Sequence, residues 1–73
     1  MVHILIFKTN IKFKKDLKKL EAHLNDHERI TSWNLDREDI DRVLRIESSA
    51  DITKDILNLV SLAGYHCEEF NDN

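Results

Sequence analysis

The chain has 73 residues, of which 41% are apolar and 34% charged, with one cysteine, one glycine and no proline. This is enough for one domain spanning 1–73 without linkers, and a chain this short buries only roughly 60% of its unfolded surface. The longest apolar run, Ile4 to Phe7, is too short for a membrane span or a secretion signal, and a lone Cys67 excludes an internal disulfide and points to a reducing cytoplasm.

Charge is unevenly spread. Residues 1–20 carry six lysines and one acid, whereas 21–73 carry five basic and thirteen acidic residues, giving the net −3 of the whole. The acidic body argues against nucleic acid as the main partner. The local lysine cluster leaves room for an acidic one.

Residues 2–8 read as a strand that is apolar on both parities, as in a central strand covered on each side. If Ile4 and Ile6 lie under helices, Leu5 and Phe7 face the open side. A helix is predicted over 14–27, with Phe13, Leu17, Leu20 and Leu24 forming one stripe. Residues 30–36 alternate as a strand with Trp33 and Leu35 on one face, and 37–41 form a charged turn or ragged strand end. Residues 42–47 form a third strand with Leu44 and Ile46 inward. Ser49 or Asp51 can cap a second helix over 52–63, along which Ile52, Ile56 and Val60 share a face. Gly64 ends that helix, 65–70 is a short last strand, and 71–73 should fray.

The element order β-α-β-β-α-β, with right-handed crossovers, predicts an α+β ferredoxin-like sandwich: two helices on one face of a four-stranded antiparallel sheet. Apolar groups left on the uncovered face would make that face a homodimer or partner surface.

Three segments, in order and spacing, resemble the heavy-metal-associated (copper-chaperone-like) domain. They are Leu17-x-x-Leu20-x-x-x-Leu24, Ile30-x-x-Trp33-x-Leu35, and Ile56 to Tyr65 with its Ala-Gly-Tyr ending. The resemblance covers almost the whole chain and implies the same fold. It also implies a metal loop, Met-x-Cys-x-x-Cys, where this sequence has Ile11, Phe13 and Asp16. Soft metals need deprotonated sulfur ligands. Phe13 has no donor atom and Asp16 offers a hard carboxylate, so the sequence points to a member without the thiolate site and without a cofactor. The resemblance also places Tyr65 beside this loop.

Other chemistry is thin. His23 and His27 lie four apart on the first helix and could share a divalent ion; two exposed histidines near a helix end are the plainer reading. His66 and Cys67 are adjacent on a strand and point to opposite faces. His3 would lie near His66 if the first and last strands pair. No set of nucleophile, base and orienting group is visible, and there is no Gly-rich phosphate loop, so the reading is of a non-enzyme. The function-like features left are Phe13 in the loop and the lysines around it. The pairs Lys14/Lys18 and Lys15/Lys19 repel at i, i+4, near a helix N-terminus that disfavours positive charge. The resulting expectation is a small protein-binding module working through Ile11, Lys12, Phe13, Lys14, Lys15, Lys18 and Tyr65.

Overall fold

In the computed structural model, which describes residues 2–70, the elements are β1 (His3–Thr9), α1 (Lys14–Asn25), β2 (Ile30–Leu35), β3 (Val43–Ser48), α2 (Thr53–Leu62) and β4 (Cys67–Glu69). The strands form one sheet in the order β2-β3-β1-β4, every neighbouring pair antiparallel. This is the expected ferredoxin-like arrangement. Residues 71–73 lie outside the described residues.

Register decides which side of β1 is core. Leu5 sits opposite Ile46 and Phe7 opposite Leu44, while Ile4 faces Glu47 and Ile6 faces Arg45. Phe7, Leu44 and Ile46 are fully buried beneath the helices and Ile4 is 47% exposed. The parity that the sequence left open is thereby decided: Leu5 and Phe7 face the helices, and Ile4 and Ile6 face the open side. With period-2 side chains, one buried aromatic commits the whole strand. The open face alternates Ile4 and Ile6 with Lys8, Arg45, Glu47, Ser32 and Asn34, so it is mixed in character, not an apolar patch.

In α1, Leu20 and Leu24 are buried and Leu17 is half-buried. Phe13 does not belong to that stripe. It is the N-cap, with extended backbone (φ −108, ψ 152), so its ring points away and is 60% exposed. Its N–H donates to Asp16 Oδ2 at 3.3 Å. That is half of a capping box; a phenyl ring has no oxygen for the other half. The helix also stops earlier than expected, at Asn25 with Asp26 as C-cap.

Asp51 starts α2 by accepting the Thr53 N–H (3.2 Å) and hydroxyl (2.7 Å). These bonds hold its carboxyl below the usual range. Ile52, Ile56 and Val60 are buried. At the far end Gly64 has φ +95. Its N–H donates to the Ser61 carbonyl at 3.0 Å, and the Tyr65 N–H donates to the Val60 carbonyl at 3.1 Å. The pair is a Schellman closure, which turns the chain back over the helix and aims Tyr65 at the core.

Candidate functional site

Three connections meet at the end of the sheet where β1 finishes. Thr9 stitches two of them. Its N–H donates to the Asp41 carbonyl at 3.2 Å, its hydroxyl donates to the Arg42 carbonyl at 2.7 Å, and its Oγ1 accepts the Ile11 N–H at 3.3 Å. Asn10 ties in the third: its N–H donates to the His66 carbonyl at 3.3 Å and its Oδ1 accepts the His66 N–H at 2.9 Å. The loops 10–13, 36–42 and 63–66 thus form one surface.

The loop preceding α1 divides its side chains sharply. Ile11 is fully buried in the core beside Phe7 and Leu20. That corrects its place among the partner-binding residues: an apolar residue anchored through its own N–H to Thr9 acts as a core plug. Lys12, Phe13, Lys14, Lys15 and Lys18 are exposed. The Lys15 ammonium lies 5.8 Å from the Phe13 ring centroid, a weak cation–π contact.

Tyr65 sits beside this loop, as the resemblance implies. Its hydroxyl donates to Asp16 Oδ1 at 2.7 Å, while the other oxygen of Asp16 caps α1. Both carboxylate oxygens of Asp16 therefore accept a hydrogen bond from within the protein. The Asp16 hydrogen bond, then burial, then the Asp16 charge raise the Tyr65 phenol above its ordinary pKa, because an acceptor and an anion both disfavour the phenolate.

The other proposed ligands are scattered. His27 lies beyond the end of α1, so the shared helical face with His23 does not exist. Its Nε2 is 3.2 Å from Asp55 Oδ2 and its Nδ1 accepts the Arg29 N–H at 3.2 Å. With Nδ1 accepting, Nε2 carries the proton to Asp55. Cys67 is half-buried opposite Thr9. Burial first, then the charge of Glu68, push its thiol up to about 11, the wrong direction for a thiolate ligand. His66 points to the opposite face, 4.0 Å from Glu68. β1 and β4 do pair, but the register puts His66 beside Asn10 and leaves His3 opposite Ser48. Six residues of strand, roughly 20 Å, separate the two ends. Among the described residues no three His, Cys, Asp or Glu side chains come together to hold a metal.

The acidic loop 36–42, read from the sequence as a charged turn and not as part of the working surface, also lies at this end. Asp36 Oδ1 accepts the N–H groups of Glu38 (3.1 Å) and Asp39 (3.2 Å), and Asp39 Oδ1 accepts that of Asp41 (2.8 Å). Arg42 closes the loop in the left-handed region, φ 44, where a side chain is disfavoured. Ile40 is left 89% exposed. The signal was present in outline: one isoleucine among four acids is not a strand end. A concavity of about 420 Å³ lies elsewhere, beside the start of α2, lined by Asp51 to Asp55 and Glu69.

No protein-family model and no curated protein matches this chain. Solved structures do. The copper(I)-loaded first domain of the human copper chaperone for SOD1 superposes with a TM-score of 0.79 at 10% identity, covering 94% of this chain and 93% of that one. The apo HMA (heavy-metal-associated) domain of a copper chaperone for superoxide dismutase gives 0.81 at 10% identity, covering 97% and 69%. Oxidised MerP from Ralstonia metallidurans gives 0.80 at 8% identity, covering 97% and 100%. The fold is that of the heavy-metal-associated domain. At these identities the likeness is one of fold, and the chain is a divergent example of it. These similar structures include copper chaperone domains and the CsoZ metallochaperone. Among the described residues no helix is long and apolar enough to cross a membrane.

Proposed function

We propose that this protein is a non-catalytic interaction module on a heavy-metal-associated scaffold whose thiolate site has been replaced by a contact surface. One observation carries the reading. Asp16, at the position of a soft ligand, has both oxygens committed inside the protein, to Tyr65 and to the Phe13 N–H, and the neighbouring Phe13 is turned out to solvent. A carboxylate used to brace a loop is a hard, occupied donor and a poor copper(I) ligand. An exposed phenyl flanked by lysines suits a protein contact, since aromatic anchors carry much interface energy. The surface is formed by Lys12, Phe13, Lys14, Lys15 and Lys18, with Tyr65 supporting it from behind. The absence of a set of nucleophile, base and orienting group in the sequence supports a binding role over catalysis.

Titrating copper(I) and zinc into the reduced protein tests this reading. No submicromolar binding is expected. Tight binding that survives Cys67→Ser but disappears with His23→Ala would overturn the proposal and reinstate a histidine-based carrier.

A further inference from the structure

The loop end carries two opposite charges side by side. Lys12, Lys14, Lys15, Lys18 and Lys19 stand against one acid, Asp16; in the adjoining loop Asp36, Glu38, Asp39 and Asp41 stand against two arginines, Arg37 and Arg42. The two patches are held next to each other by Thr9, which bonds to both Asp41 and Arg42 and to Ile11. Among the described residues, none of these lysines or acids is in an ion pair. Each patch also presents one exposed apolar side chain, Phe13 at 60% and Ile40 at 89%. Neither is a mobile accident of composition: the Asp36 and Asp39 turns fix the Ile40 loop, and the Asp16 cap fixes the Phe13 loop.

A surface that is positive on one half and negative on the other is complementary to itself after a two-fold rotation. In an isologous contact, residue i of one copy meets j of its partner, and j meets i. We propose that this end is a two-fold homodimer interface, with the lysine loop of one copy on the acidic loop of the other and Phe13 and Ile40 closing the centre. This inference rests on the interaction-module reading above and names its partner as a second copy. The open sheet face is a weaker candidate, because Ile4 and Ile6 there are interrupted by Lys8, Arg45 and Glu47. One end of a body 17 Å thick supplies less than the roughly 800 Å² per partner of a standard interface. The dimer is accordingly weak, and it is salt-sensitive because exposed charges are screened.

Sedimentation of chelator-treated protein at low and high ionic strength tests it. A concentration-dependent dimer that dissociates as salt rises is expected. Lys14→Glu with Lys15→Glu, or Glu38→Lys with Asp41→Lys, should each raise the dissociation constant about tenfold or more, the scale of interface charge reversal. An equimolar mixture of the two variants should dimerise like wild type, since both contacts then pair opposite charges. Phe13→Ala and Ile40→Ala, at exposed positions that leave the fold intact by circular dichroism, should each weaken it about tenfold. A wild type that stays monomeric to about 1 mM, a dimer unmoved by all these changes, or a mixture that fails to restore it would overturn the inference. A dimer lost instead on Ile4→Lys would move the interface to the sheet. Monomeric wild type leaves the metal-free reading standing, whereas a dimer that forms only on adding copper(I) or zinc retires that reading.

Discussion

At the scale of single residues, the loop before α1 shows how two nearby apolar side chains take opposite roles. Ile11 and Phe13 are two apart, and sequence reasoning put both on the working surface. The backbone separates them. Ile11 is tied to Thr9 just after β1 and falls into the core, whereas Phe13 sits in extended backbone at the N-cap and projects outward. Ile11→Ala should therefore destabilise the protein by about 2–5 kcal/mol, the range for emptying a fully buried site. Phe13→Ala should stay within about 0.5 kcal/mol, as at exposed positions. Urea unfolding of the two variants checks this. Equal losses would mean that Phe13 is part of the core after all.

At the scale of elements, α2 was the most legible piece, whereas α1 was legible at its start, Lys14, but not at its end. The Ile52, Ile56 and Val60 spacing is a full apolar stripe, and Gly64 marks the stop with a known mechanism. Gly64 has φ +95, and nothing lies within 4 Å of the place a Cβ would take, so a side chain there meets only backbone strain. Gly64→Ala should thus cost about 1–2 kcal/mol and lower the melting temperature by roughly 4–8 °C per kcal/mol, as differential scanning calorimetry would read. An unchanged melting temperature would remove the Schellman turn from the account of stability. In α1 the stripe proper is Leu17, Leu20 and Leu24. Counting Phe13 into that stripe followed from periodicity alone, which carries no information about where capping starts the helix. The strand order and the two helix positions followed from element order and crossover handedness; the side of β1 that is core did not, because both parities were apolar.

At the scale of the whole molecule, the Tyr65–Asp16 bond links the close of α2 to the start of α1 across 49 positions of sequence. Its pH dependence has a definite sign. The Tyr65 phenol is raised above its ordinary 10.0, so the unfolded chain gives up that proton first. The stabilisation is complete below pH 10.0 and is lost as pH rises through the higher folded value. Cys67, raised from 9.0 to about 11, loses its contribution over that interval in the same sense. In a Cys67→Ser background, which removes the thiol, stability should still fall above pH 10.0, and adding Tyr65→Phe should flatten that fall. Equal slopes with and without Tyr65 would show that the bond does not hold in solution.

The sequence by itself determined the class of architecture and the single cysteine, because element order, helix stripes and residue types are local or one-dimensional facts. It also placed Tyr65 at the loop through family likeness. Only the tertiary structure decided which face of β1 is buried, that Ile11 plugs the core while Phe13 is exposed, and that His23, His27, His66 and Cys67 never converge. It alone set the acidic 36–42 loop against the lysine loop. These depend on strand register and on hydrogen bonds between segments far apart in the chain, chiefly those of Thr9 and Asn10, and no local pattern of residues encodes which distant backbone group will be the partner.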